Sequence, residues 1–444
     1  MLARGAGLCY NAPVTKTALR LLALACVCAL ARPALADRPV ITLEGARIQA
    51  YPVAIAPAMG EPVSGKAVLD VLGADFERSG LFKVLDPVSF LADPAKEGTT
   101  AATIDFGKWV TVGAAGLVKA IAKVQGDEVV VEFHLFDVAR ASEVLHGTYS
   151  AKVAGLRQVA HRFADDVLKY FTQEPGIFET RIAYVRETEN GKQIVVADSD
   201  GANAQALTGA SINLLPAWTP DGRTVAFTTF RDGAAHIYTV DVVSRAIKPL
   251  VLMGDFATGA AYAADGLRFT FSASLEDNTD VYVSQADGSA GRKLTSERGI
   301  DISATWSPDG KQICFVSDRA GAPHLYLMNA DGLSQRRLTF KGNYNQEPAW
   351  SPRGDLIAIS GRDEKRAFDI YTVNVATGEI KRLTTAGGTN EKPTWAPNGR
   401  LMLFSSTRSG KRQLWVMAAD GGNQRQVTNE QRGASDPAWG PLPR

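Results

Sequence analysis

Cysteine is nearly missing from this chain. It has four in 444 residues, and Cys9, Cys26 and Cys28 all precede position 30. Beyond them only Cys314 remains, so an internal disulfide framework is excluded and a packed core must hold the fold. Histidine is scarce too: His134, His146, His161, His236 and His324 are the only five, and no two share metal-ligand spacing on one helix. Net charge is almost absent, at +1 from 48 basic and 47 acidic residues, which is not the basic footprint that nucleic acid demands. Long apolar runs are missing except for one near the N-terminus, so a multi-span membrane protein is excluded. No Gly-x-Ser-x-Gly nucleophile elbow occurs. What is abundant is core-forming material, 45% hydrophobic against 21% charged, enough for two or three domains.

The single apolar run reads as part of a secretory leader. Arg4, Lys16 and Arg20 give a basic start, Leu21 to Leu30 an apolar stretch too short to span a bilayer, and Ala34-Leu35-Ala36 a small-residue cleavage site. Cleavage is expected between Ala36 and Asp37. A lipoprotein reading on Cys26 or Cys28 is weaker, because Ala23 and Ala25 stand where leucine is usual. Residues 1–36 hold four basic and no acidic residues, so their removal takes the formal charge from +1 to −3.

An internal repeat decides the fold class. Pro216-Ala-Trp218-Thr-Pro-Asp-Gly222 returns as segments centred on Tyr262, Trp306, Trp350, Trp395 and Trp439. Their spacing is 44 residues, and 45 once. After each aromatic come an apolar run, a pair such as Ile237-Tyr238 or Leu325-Tyr326, a Gly turn, and a Leu-Thr pair such as Leu338-Thr339. Four short strands per repeat make a propeller blade. Arg181 to Thr208 supplies three strands without the first, and Asp436 to Gly440 a first strand with nothing after it. Joined, they complete a six-bladed all-β ring closed by the C-terminal strand, which removes two sheet edges.

The region before the repeat has another rhythm. Tyr51 to Pro57 reads as a strand. Ser64 can cap a helix with Val68, Val71, Leu72 and Phe76 on one face, stopped at Gly80. Leu117 to Val124 and Val129 to Phe136 alternate as a hairpin about Gly126, and Leu156 to Phe171 is an amphipathic helix. The expected order is leader 1–36, a segment 37–45, a small α/β domain 46–173, a linker 174–180 opening on Glu174-Pro175-Gly176, and the propeller 181–444.

Several motifs carry weaker chemistry. Gly60 to Ala67 approaches a phosphate-binding loop, but Ala67 replaces the Mg²⁺-holding hydroxyl and Pro62 removes a backbone donor. Asp198-Ser-Asp200-Gly201 starts like a calcium loop without its distal Glu, and reads as a turn. Asp165 and Asp166 point about 100° apart on a helix. His236 and His324 share a repeat position with Asp280, Asp369 and Gln413 and read as replaceable strand-edge residues. Cys314, within Ile313 to Val316, reads as a buried hydrophobe. Five residues before each aromatic stand Asn213, Ala257, Asp301, Asn345, Asn390 and Ala434, candidate contacts at one mouth of the channel; Asx capping of the loops is the alternative.

On these residues the chain resembles the TolB family of the Tol–Pal cell-envelope system. The resemblance rests on the leader, on Phe76-Glu-Arg-Ser-Gly80-Leu-Phe-Lys, on Thr180 to Val185 and on the Trp-Ser-Pro-Asp-Gly repeats. It implies a non-enzymatic periplasmic adaptor, peripheral to membranes, acting as a monomer without cofactor, metal or nucleic acid. It further implies that Asp37, Arg38, Pro39, Val40, Ile41, Thr42, Leu43, Glu44 and Gly45 bind TolA, an inner-membrane protein, their alternation suiting strand addition. The propeller mouth then takes Pal, the peptidoglycan-associated outer-membrane lipoprotein. There Phe256 and Ile302 stand where the family leads one to expect His and Thr. Two enzyme readings compete: a propeller attached to a hydrolase, for which no nucleophile elbow or room after Trp439 exists, and a lactonase-type metal propeller, for which only Asp301 is acidic at the rim.

Overall fold

The first helix shows how local chemistry builds the N-terminal domain. Glu61 is extended and stands before Pro62, whose fixed φ suits the first helical position. Its carboxylate accepts from the backbone N–H of Val63 and Ser64 at 3.1 and 2.6 Å, where the helix dipole favours an anion. Glu61, not Ser64, is therefore the cap, and Ser64 is buried in the first turn. The same contacts fill the end of the helix that a phosphate would need. Pro62–Ser79 (α1) buries Val68, Leu72 and Phe76 and ends on Gly80 at φ 71°, a conformation that glycine adopts without a Cβ penalty.

The computed structural model describes residues 50–443 apart from 95, 276, 277, 363–366 and 386. The expected leader, its cleavage site and the segment Asp37–Gly45 lie outside the described residues. Tyr51–Ile55 (β1) runs parallel to both Phe82–Val84 (β2) and Gly116–Gln125 (β3). Glu128–Asp137 (β4) and Ser142–Lys152 (β5) extend the sheet antiparallel. Leu156–Thr172 (α2) packs with α1 on one face, and Phe133 of β4 stacks on Phe163 at 4.3 Å. Beyond β2 the chain makes an excursion in which Trp109 is fully buried, its indole donating to Glu97, which also pairs with the buried Lys119 at 3.1 Å.

Six four-stranded antiparallel sheets follow. Blade one is composite: Ala434–Trp439 pairs with Arg181–Thr188, which continues to Gly191–Asp198 and Gln205–Ala206. Blades two to six begin with Asn213–Trp218, Phe256–Tyr262, Asp301–Trp306, Tyr344–Trp350 and Asn390–Trp395. The repeat's tryptophans are buried. The indoles of Trp218, Trp306 and Trp395 donate to carbonyls of the preceding blade, at Ala438, Ala261 and Ala349. In these three repeats one aromatic thus supplies both apolar area and a directional bond between blades, whereas the Trp350 indole donates to Gly354 of its own blade.

Each first strand is also bulged. The pairing register slips in all six, and the slipped residue has positive φ: Leu215, Gly259, Ser303, Glu347, Lys392 and Asp436, between 47° and 70°. These six line the central channel, a cavity of about 370 Å³. A bulge bends its strand and tightens the local twist, which suits six strands converging on one axis.

The Glu174 segment does not run free between domains. Glu174 accepts from Arg353 at 2.9 Å and Arg400 at 2.6 Å, and Asn398 donates to the Pro175 carbonyl. Asp165 on α2 accepts the N–H groups of Phe178 and Glu179. Nearby, buried Asp75 bridges Arg78 and His161 at 2.9 and 2.6 Å, and Arg78 also donates to Ser199 of blade one. Asp200 of the same turn pairs with Arg157 and accepts from Ala202 N–H, so Asp198 to Gly201 is a turn held by ion pairs.

Candidate partner-binding face

Antiparallel blades put alternate connections at opposite ends of the ring. The N-terminal domain contacts Asn423 and the Ser199–Asp200 turn, and the Glu174 segment contacts Arg353, Asn398 and Arg400. All lie in connections between first and second or third and fourth strands. Among the described residues the opposite end, made by connections between second and third strands and by entries into each first strand, is left open.

The sequence-derived mouth residues divide on this face. Phe256 and Ile302 are half-buried, whereas Asn213, Ala257, Asp301, Asn345, Asn390 and Ala434 are buried. Asn213 donates to Lys192 and Gly209 carbonyls and to Thr208 of the preceding blade. Asn345 reaches Lys341 carbonyl, Thr339 and His324. Asn390 donates to Asp369 and accepts from Arg408. Asp301 accepts from Arg319 at 2.8 Å; burial raises its pKa, opposed by Ser317 and that guanidinium. The three asparagines stitch blade to blade, whereas Asp301 pairs within its own blade; a polar group at the inner strand's start must find partners once the ring closes over it.

The repeat's Leu-Thr pairs complete that stitching. Thr208, Thr295, Thr339, Thr384 and Thr428 each accept a backbone N–H of the third strand. Asp280, His324, Asp369 and Gln413 bond to the same threonine hydroxyls. This corrects the strand-edge reading for His324: it is buried, and burial next to Arg337 lowers its pKa.

The surface itself comes from residues that the repeat pattern did not single out. Ile212, Phe230, Leu252, Leu275, Ile300 and Phe340 are large, apolar and exposed, Phe340 by 73%. All six stand at the open end, on blades two to five. Their signal was an apolar residue inside a turn, as in Thr339-Phe340-Lys341-Gly342. Blades six and one carry charge instead: Arg186 pairs with Glu430 at 2.7 Å, Arg412 with Glu391 at 2.6 Å, and Arg432 with Glu189. Deeper in the channel Lys392 bonds Glu347 at 2.7 Å and faces Asp436 at 3.5 Å. Burial alone would lower its pKa, but the two carboxylates outweigh it and raise it. The face thus has an apolar arc and a charged arc.

Two segments of the chain match known protein families. Residues 168–443 match the TolB beta propeller domain and residues 39–144 the TolB amino-terminal domain. The chain belongs to the TolB family. It is 49% identical to the Tol-Pal system protein TolB of Anaeromyxobacter dehalogenans over 95% of this chain and 99% of that one. With the protein of the same name from Myxococcus xanthus it shares 45% over 92% and 96%. A crystal structure of TolB from Acinetobacter baumannii superposes with a TM-score of 0.80 at 26% identity, over 89% of this chain and 97% of that one. As a TolB-family chain it is a Tol–Pal system component. No helix among the described residues is long and apolar enough to cross a membrane.

Proposed function

We propose that this TolB-family chain is a non-catalytic periplasmic adaptor joining a TolA-like inner-membrane protein to a Pal-like outer-membrane lipoprotein, and so supports envelope integrity and constriction at division. The observation that carries the reading is the open propeller face, with its apolar arc on blades two to five, opposite the face that holds the N-terminal domain. The Pal-like partner takes that arc, with Phe256 and Ile302 at its inner edge and Phe340 and Ile300 outside. Buried Asn213, Ala257, Asp301, Asn345 and Asn390 hold the loops beneath. The TolA-like partner takes Asp37 to Gly45, by strand addition. Separate sites let both partners bind at once. The test is co-purification from solubilised envelopes. An I300D/F340D double variant should lose the Pal-like lipoprotein and keep the TolA-like protein, and deletion of residues 37–45 should do the reverse. Retention of both partners by the double variant would refute the assignment of the face.

A further inference from the structure

The sheet of the N-terminal domain carries a four-residue cluster that neither partner reading uses. β4 and β5 pair so that His134 lies opposite His146. Glu132 is two residues before His134 and therefore on the same face. Glu143 and His146 are three apart, which in a regular strand would put them on opposite faces. The ladder, however, steps from Leu135–Leu145 to Phe136–Glu143, leaving Val144 as an extra residue in β5. This bulge turns Glu143 to the side of the two imidazoles.

The resulting distances are those of a ligand set. His134 Nδ1 and His146 Nδ1 are 3.3 Å apart, and Glu143 Oε1 lies 2.9 Å from the first and 3.2 Å from the second. Nitrogen and oxygen ligands held at 2.0–2.1 Å by a tetrahedral zinc ion are about 3.3 Å from each other. On the far side of the rings Glu132 Oε1 is 3.2 Å from His134 Nε2 and 4.0 Å from His146 Nε2. The His134 side chain is only 7% exposed, yet its Nε2 makes no hydrogen bond in this arrangement. Metal-bound imidazoles characteristically direct their second nitrogen to a carboxylate, the position Glu132 occupies. Lys119, opposite His134 on β3, pairs with Glu97, and among the described residues the ion-pair contacts given for Glu132 and Glu143 are those with the two imidazoles.

We propose that His134, His146 and Glu143 bind one divalent first-row metal ion, zinc foremost, with Glu132 orienting the imidazoles. Two imidazoles and a carboxylate suit zinc better than the hard oxygen-seeking magnesium or calcium. The half-exposed edge of His146 leaves the fourth position to water. The bound ion ties the sheet's edge strand β5 to β4 across the bulge. Because it binds only the folded hairpin, it stabilises the domain by mass action.

The test is calorimetric titration of ZnCl₂ into the chelator-stripped full chain, with melting curves beside it. The wild type should take up one zinc at this site and melt higher with zinc present, magnesium leaving the isotherm unchanged. H146A and E143Q, both altered at half-exposed side chains, should each weaken this binding at least tenfold and lose the thermal shift, while folding as shown by circular dichroism. T148A, a neighbour on the same face, should bind like wild type. No saturable uptake by the wild type, or uptake by H146A equal to it, would overturn the proposal, the latter by showing that other groups take the metal.

Discussion

Cys314 has no exposed surface. It packs among Val316, Leu325, Leu327 and Trp350 between blades four and five, and burial raises its thiol pKa. The thiolate is the reactive form, so burial and suppressed ionisation both oppose labelling. In the chain starting at Asp37, where it is the only cysteine, Cys314 should stay unlabelled by a thiol reagent for hours and react at once in denaturant; rapid native labelling would displace it from the core. Ser303 tests the bulges in the same residue-by-residue way. Its φ of 55° strains a side chain with a branched Cβ most, whereas Gly259 occupies the equivalent position in blade three. Ser303→Val should cost about 1–2 kcal/mol in urea denaturation and Ser303→Gly little or nothing. Equal midpoints would mean the bulge stores no strain. Residue type alone made Cys314 legible as core, since a small apolar side chain within Ile313 to Val316 has few other uses. It did not separate Asn213 or Asn390 from surface contacts. An asparagine at a strand entrance reads alike whether it meets a partner or a side chain of the blade before it, Thr208 for Asn213 and Asp369 for Asn390, and only ring closure decides.

At the scale of elements, α2 and the Glu174 segment form one unit. Asp165 is pushed up to about 7, chiefly by burial, against the lowering effect of the Phe178 and Glu179 N–H groups it accepts. A carboxyl with a raised folded-state pKa holds its proton in the folded state after the unfolded chain has released it. Its stabilising contribution is therefore complete below about pH 4 and is lost as pH rises through about 7. Asp165→Asn removes the titration. Chemical denaturation across that window should show wild type losing ground to the variant as pH rises, and a constant difference would place the ionisation elsewhere. The elements themselves were largely readable: Gly80 as a stop, the hairpin about Gly126 and the amphipathic stretch from Leu156 each announce themselves within a few residues. What was not readable depends on pairing. Only the Val144 bulge brings His134, His146 and Glu143 together, and helix spacing says nothing about ligands meeting across strands. The anchoring of the linker was likewise not readable, because Arg353 and Arg400, which hold Glu174, are far away in sequence.

For the whole molecule the decisive feature is closure. Six similar repeats made the blade count legible, because the same turns and tryptophan recur and the incomplete first and last pieces sum to one blade. That arithmetic now has residues attached. Ala434–Trp439 pairs with Arg181–Thr188, placing Trp439 opposite Ile182. The Trp439 indole donates to Thr180 at 2.8 Å, the Trp439 backbone N–H donates to the Thr394 hydroxyl of blade six, and the Ala438 carbonyl accepts from Trp218 of blade two. The last strand is therefore in contact with three blades. Trp439→Ala alone should cost about 3–5 kcal/mol, a large part of a typical net stability of roughly 5–15 kcal/mol, while leaving the strand in place. Deleting Ser435 to Arg444 removes the strand itself. It exposes the edge of Arg181–Thr188, opens blade six to solvent and leaves unpaired hydrogen-bonding rows that invite association with other chains. The point variant should remain monomeric with a lowered melting temperature. The deletion should aggregate, lose cooperative unfolding and lose binding at the open face, since its apolar arc is held in place by the closed ring. Scanning calorimetry and light scattering on the two proteins separate these outcomes: a deletion that stays monomeric and melts near the full-length temperature would show that the ring does not depend on its last strand.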